Sequence, residues 1–373
     1  METFTEGLSF DDVLLVPQLS EILPSDVSLK TSFVPGIELN IPVISSAMDT
    51  VTEDELAIAL AREGGIGVIH RNNTIDEQAD MVRRVKRSEN SVIEDPYTVS
   101  PDITVAEMDA LKSSLGVSGL PVVEDNGQLV GIITGRDTRH LDNRSITVRE
   151  IMTPKDRLVT APEGTRPRDA RKILYDNRIE KLPLVDSTGN LTGLITGADI
   201  ENRLTFTNAA KDGSGHLVCG AAVGVGGEYI ERAKALQDSG VDAIFIDAAT
   251  GHTSRVLHVI EELTNTVSLP IIAGNVVTAE GAKDLITAGA SAIKVGVGPG
   301  SICPTRVVAG VGMPQFTAIR NATEYAADKG VTIIADGGIR YSGDIVKALA
   351  AGEPSITKAV ASNHTAEWDH SVR

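Results

Sequence analysis

The sequence is poor in the residues that hold small secreted domains together. Only two cysteines, Cys219 and Cys303, occur in 373 residues, too few for a disulfide framework, so a reducing compartment is expected. Aromatic residues make up 3% of the chain, with a single tryptophan, which leaves the core to aliphatic side chains. No apolar run reaches the roughly 20 residues of a membrane-spanning helix. The acidic opening METFTEGLSFDD lacks the basic start and apolar block of a secretory signal. Basic residues are outnumbered, 34 Lys and Arg against 51 Asp and Glu, for a net charge of −17. This excludes an electrostatic grip on nucleic acid. A cytoplasmic protein with an acidic surface fits these deficits. What the chain does have is hydrophobic content, 42%, enough for a sizeable core. Its length points to two domains, or one large domain carrying an insertion.

Two stretches alternate strand-like and helix-like segments. IPVISSAMD (41–49) and GGIGVIHRN (64–72) are short apolar runs ending in small or polar residues. Between them VTEDELAIALARE has helical periodicity, with acidic residues in its first turn, and TIDEQADMVRRVKR (74–87) reads as a second amphipathic helix. The pattern resumes after about residue 205 with HLVCGAAVG, VDAIFIDAA, LPIIAGNVV, SAIKVGVGPG and VTIIADGG, each followed by a helical stretch. Near-continuous apolar strands alternating with helices indicate a parallel sheet covered by helices. Seven such βα units are counted, closer to a (β/α)8-type barrel than to a simple open sheet.

The middle of the chain differs. LPVVEDNGQLVGIITGRD (120–137) and LPLVDSTGNLTGLITGAD (182–199) align without a gap at an offset of 62. Each copy reads strand, Asp/Asn/Gly turn, strand, helix. The expected boundaries are 1–92 for the first part of the barrel, 93–204 for the repeat (copies 93–147 and 148–204), 205–352 for the second part, and 353–373 for a divergent tail.

In a barrel, the loops after the strands carry the site. GVGPGSICPTR (296–306) is such a loop. Gly296, Gly298 and Gly300 let its backbone bend and present amides or carbonyls to a ligand. A thiolate at Cys303 would be a strong nucleophile. The bland alternative, an inert buried thiol, suits Cys219 within its apolar run better than Cys303 on its loop. Asp247 and Asp336 end strands, where a carboxylate can simply satisfy loop amides. Asn275 can be a turn former and Ser46 a helix cap. Singly, each bland role fits as well as a functional one. Together, on successive strand ends that a barrel brings to one face, function fits better. His70 and His252 read as loop histidines, and no spacing suggests zinc.

GPGSICPTRVVAGVGMPQ resembles the catalytic loop of the IMP dehydrogenases, as do GLSFDDVLLVP, ISSAMDTVTE, GGIGVIHRN, AGNVVTAEGAKDLI and IIADGGIRYSGDIVKAL in their own places. The repeat resembles a tandem CBS (Bateman) module, which that family carries between barrel units two and three. The resemblance runs from residue 1 to about residue 352. It implies NAD-dependent oxidation of IMP to XMP, a step of guanine nucleotide biosynthesis, with Cys303 attacking C2 of the base and Thr305 near the attacking water. It places Ser301, Gly337 and Gly338 at the 5′-phosphate, Asp336 on the ribose, Ser46 and Met48 along the nucleotide, and Asn275 near the base. Asp247, Gly296 and Gly298 would face the dinucleotide. The carbonyls of Gly298, Gly300 and Cys303 would form half of a K⁺ site. In the repeat, Thr134 with Asp137 and Thr196 with Asp199 would hold an adenine or guanine nucleotide, the alternative being a module without ligand. The family assembles as homotetramers.

After KALAAG the chain reads EPSITKAVASNHTAEWDHSVR, where the family continues into an eighth strand, a phosphate-binding turn and a catalytic flap. The expectation is therefore a truncated or frame-shifted barrel lacking its eighth unit, with impaired turnover. Two alternatives stand beside IMP dehydrogenase. One is a GMP reductase, which shares the cysteine loop and lacks the flap. The other is a non-catalytic nucleotide-binding regulator.

Overall fold

The computed structural model describes residues 6–88, 92–94, 96–300, 303, 305–352 and 359–363. The chain forms two compact units, residues 1–88 with 208–373 and residues 89–207.

The first unit is built on eight parallel strands. They are β1 (Val43–Ser45), β2 (Gly67–Ile69), β3 (Cys219–Val223), β4 (Ala243–Ile246), β5 (Ile271–Val276), β6 (Ala292–Val295), β7 (Thr332–Asp336) and β8 (Ala359–Asn363). Their order in the sheet is β1-β8-β7-β6-β5-β4-β3-β2. The two end strands meet through a single parallel bridge, Ile44 with Ile66, supported by the Ser45 hydroxyl accepting from Val68 N at 3.0 Å. The sheet is thus an incompletely closed barrel.

Two expectations are corrected here. The eighth strand is not missing, because β8 pairs with β7 from Ile333–Ala359 to Asp336–Ser362 and with β1 from Val43–Ala361 to Ser45–Asn363. Of the tail expected at 353–373, Ala359–Asn363 thus belong to the sheet, and residues 353–358 and 364–373 lie outside the described residues. A parallel ladder is made by backbone N–H and C=O groups. A short Ala-Val-Ala-Ser-Asn segment can supply these without the long apolar run by which strands are recognised. The seven-unit count is replaced by an eight-stranded sheet that is only partly laddered at its seam.

Helices cover the outside: α1 (Asp54–Glu63), α2 (Ile75–Arg87), α3 (Tyr229–Asp238), α4 (Ser254–Thr266), α5 (Ala279–Ala288), α6 (Gln315–Ala326) and α7 (Ser342–Ala351). Their starts are written in local chemistry. At α2 the Thr74 hydroxyl accepts from Glu77 N at 3.2 Å and the Glu77 carboxylate accepts from Thr74 N at 2.9 Å, a reciprocal cap that satisfies two otherwise orphaned amides. Val82 and Val85 of α2 then face the sheet, fully buried. Inside the barrel a second cluster joins Ile44, Val68, Phe245, Ile272 and Ile334 to Phe33 and Leu39. The last two belong to an antiparallel hairpin, Thr31–Val34 with Ile37–Leu39. The Phe33 carbonyl accepts from the Thr332 hydroxyl at 2.6 Å, at the first residue of β7. The hairpin therefore plugs the end of the barrel opposite the strand C-termini, a role its sequence did not announce. No helix among the described residues is long and apolar enough to cross a membrane.

The second unit contains two three-stranded sheets. One joins Gly119–Val123, Leu129–Thr134 and Thr153–Pro154, and the other Ala161–Pro162, Lys181–Val185 and Leu191–Thr196. Each has its own apolar cluster, around Leu120 and Ile133 in one and Leu182 and Ile195 in the other. The two hairpin tips pair with each other reciprocally. Leu129 N donates to Gly189 O and Leu191 N to Gly127 O, both at 3.2 Å.

Candidate active site

The strand C-termini of the first unit carry most of the residues singled out from the sequence. Asn275 lies in β5, Asp336 ends β7, and Gly296, Ser46 and Asp247 directly follow β6, β1 and β4. Three of these make one hydrogen-bonded group. The Asn275 side-chain amide donates to Gly296 O at 2.8 Å and to Asp336 Oδ2 at 2.9 Å. Lys294 of β6 places its ammonium 2.9 Å from the same carboxylate oxygen. Asp336 is 2% exposed, and a buried carboxylate needs such partners to remain charged.

Sequence reasoning missed Lys294, although a lysine inside the apolar run SAIKVGV was a signal. It missed Gln315 too, whose side-chain amide donates to Val295 O at 2.8 Å and Asp336 O at 3.1 Å. Thr52, fully buried, was also overlooked; its hydroxyl donates to Ser46 O at 2.6 Å and fixes the turn that carries Ser46 and the half-buried Met48.

Two glycines are required by geometry. A Cβ on Gly296 would come within 2.0 Å of Asp336 O, and Gly337 has φ +91° with Pro299 beside it. Both let the cysteine loop and the β7 turn approach each other closely. Gly298, Gly300, Gly337 and Gly338 line a cleft of about 470 Å³ with Arg306 and Phe10. Ser301 lies outside the described residues.

Cys303 is partly exposed, and its Sγ lies 3.2 Å from Thr305 Oγ1. The Thr305 hydroxyl, then the Thr305 and Gly298 amides, hold this thiol below its ordinary value, outweighing the opposing effect of burial. Hydrogen bonds to a thiolate favour its charged form. Cys219 is the contrary case. Burial pushes its thiol up to about 12, so it stays protonated and inert.

A nicotinamide dinucleotide would need groups for its hydroxyls, and Asp247 fits. It is half-exposed, and Arg71 Nε donates to its Oδ2 at 2.8 Å, which fixes the carboxylate. Among the described residues one group resembles a metal site, Asp49, Glu53 and His70. However, His70 Nδ1 accepts from Asn72 N at 3.1 Å, so the proton sits on Nε2, which faces Asp49 and Glu53 at 3.7 and 3.8 Å. A metal at Nε2 would need the opposite tautomer. The arrangement is an N–H pointed at two carboxylates.

With this geometry in view, comparison with known proteins is decisive about ancestry. The IMP dehydrogenase / GMP reductase domain matches residues 7–362. The chain belongs to this family. It is 54% identical over 352 residues to inosine-5′-monophosphate dehydrogenase of Halalkalibacterium halodurans, covering 94% of this chain and 72% of that protein. The corresponding protein of Aquifex aeolicus is also 54% identical, over 354 residues. Among solved structures, GMP reductase from Trypanosoma brucei in complex with guanosine 5′-triphosphate superposes with a TM-score of 0.87 at 40% identity. That match covers 96% of this chain and 87% of the other. Dehydrogenases and reductases of the family are thus both represented.

The expected tandem CBS module is withdrawn. The family match runs through residues 89–207 as IMP dehydrogenase / GMP reductase domain, and that match indicates no CBS module there. The residues assigned to its nucleotide have a local use. Asp137 Oδ2 accepts from the Thr134 amide and hydroxyl, both at 2.7 Å. Asp199 Oδ2 accepts from the Thr196 hydroxyl at 2.5 Å, and that hydroxyl accepts from Asp199 N at 3.2 Å. Each pair caps the helix that follows it, and the adenine or guanine nucleotide assigned to them is withdrawn as well.

Proposed function

We propose that this chain performs nicotinamide-dependent redox chemistry at C2 of a 6-oxopurine 5′-nucleotide, through a thioimidate on Cys303. The observation that carries this reading is the partly exposed thiol, held below its ordinary value by Thr305. It lies on the loop that follows β6, whose first residue, Gly296, accepts from Asn275 of the Asn275–Asp336–Lys294 group. Asp336 and the Gly337–Gly338 turn would hold the ribose and phosphate, Ser46 and Met48 would line the nucleotide, and Asn275 would sit by the base. Asp247 would hold the dinucleotide, which supplies the hydride acceptor or, when reduced, the donor. Gly296 and Gly298 would bound that site, and the carbonyls of Gly298, Gly300 and Cys303 would give one side of a K⁺ site.

Two directions share the thioimidate. With IMP, Cys303 adds to C2, the C2 hydrogen departs as hydride, and water releases XMP and the thiol. With GMP, Cys303 displaces the 2-amino group as ammonia, and hydride then replaces sulfur to give IMP. The 54% identity to the dehydrogenases favours the first direction. The superposition on the reductase, with a TM-score of 0.87 over 96% of this chain, supports the second equally.

Assaying NADH formation with IMP against NADPH consumption with GMP separates them. In whichever direction runs, Cys303→Ala is expected to abolish turnover. Mass spectrometry of the wild-type protein incubated with nucleotide and cofactor is expected to show a nucleotide adduct on Cys303. Turnover by the alanine variant would sink the reading.

A further inference from the structure

One buried polar side chain beside this site bridges two strand ends. Gln315, the first residue of α6, is 2% exposed. Both hydrogens of its amide nitrogen are used, on Val295 O at 2.8 Å and Asp336 O at 3.1 Å. Two acceptors facing Nε2 fix which way the amide points. Its oxygen, Oε1, is buried with no hydrogen-bond partner among the described residues. A buried acceptor left without a partner is unfavourable, so what this amide offers here is the pair of bonds made by its nitrogen.

What the amide does is join two strand ends. Val295 ends β6 and leads through Gly296 into the cysteine loop, while Asp336 ends β7 and leads into the Gly337 turn. The fit is close, since a Cβ on Gly296 would lie 2.9 Å from Gln315 Nε2 and 2.0 Å from Asp336 O. Gly296 O in turn receives the Asn275 amide at 2.8 Å. The same stretch is tied again just ahead of Gln315, where Met313 N donates to Val297 O at 3.1 Å.

We propose that Gln315 is a positioning residue, a clasp that sets the root of the Cys303 loop against Asp336 so that thiol and ribose site meet one nucleotide. This rests on the reading of Cys303 as nucleophile. A shift of about 1 Å in such a frame can cost on the order of 10²-fold in rate.

The test uses the full chain. Gln315→Met keeps length and removes both donors. It is expected to lower kcat about tenfold or more and to slow nucleotide-adduct formation on Cys303, with alkylation of the thiol by iodoacetamide in the absence of nucleotide nearly unchanged. Gln315→Glu keeps the shape and regains a donor only when its carboxyl is protonated. Its kcat relative to wild type is expected to rise as pH falls, an ionisation that a purely structural role would not introduce. Wild-type kcat and adduct formation in Gln315→Met, a flat relative pH profile in Gln315→Glu, or failure of both variants to fold would each overturn the proposal. If Cys303→Ala remains active, the nucleophile reading itself fails. If that variant is inactive while both Gln315 variants behave as wild type, only the clasp is lost.

Discussion

Cys303 and Thr305 stand two residues apart, and that spacing lets the hydroxyl reach the sulfur at 3.2 Å. The consequence is a pH dependence whose sign follows from the chemistry. Only the thiolate reacts, and Thr305 stabilises it, so the thiol titrates below its ordinary value. The rate of Cys303 alkylation by iodoacetamide should therefore reach half its maximum at a pH below the roughly 8.5 of a free cysteine. Thr305→Val, which removes the hydroxyl and keeps the shape, should move that midpoint upward. Cys219, pushed up to about 12, should stay unlabelled in the folded protein. The cysteine was legible in the sequence because a rare, reactive residue stood among glycines after a strand. Lys294 showed only as a lysine inside an apolar run and Gln315 not at all, because their partners, a carboxylate and two carbonyls, are brought together only by the pairing of β6 with β7.

At the scale of elements, the barrel is pinned at the end of α2. Lys86 reaches Asp242 at 2.5 Å, Asp212 at 3.0 Å and Leu217 O at 3.1 Å, while Asp242 also accepts from Cys219 N at 2.8 Å. One ammonium thus ties α2 to the leads into β3 and β4. Burial works against its charge, but Asp242 and Asp212 outweigh it and raise the lysine above its ordinary value. Lys86→Ala would leave Asp242 buried without its counter-charge, and breaking such a pair costs about 3–5 kcal/mol. Chemical denaturation should show a loss of that order, and a change below about 1 kcal/mol would mean that water replaces the lysine. Helices such as α2 were legible because caps and periodicity are local. Strand β8 was not, since Ala359–Asn363 carries neither a long apolar run nor flanking glycine, and only the gap between β7 and β1 defines its place.

For the whole molecule, the net charge of −17 predicts a response to salt. Like charges repel more strongly in the compact state than in the unfolded chain. Screening shortens their reach from about 10 Å at 0.1 M to about 3 Å at 1 M salt. The thermal midpoint should rise as KCl is raised over that range, and a fall would show that specific ion pairs, such as Arg71 with Asp247, matter more than general repulsion.

The sequence by itself determined the alternation of strands and helices, the doubled hairpin within residues 93–204, the cysteine loop and the family, because each is written in contiguous residues. Tertiary structure decided which strand fills the place between β7 and β1 and which side chains join Asp336. It also decided that the paired threonines and aspartates of the second unit are spent on their own helix caps. The physical reason is the same in each case. Periodicity and motifs report what neighbours in the chain can do, whereas the satisfaction of a buried carboxylate or an open strand edge depends on partners tens or hundreds of residues away.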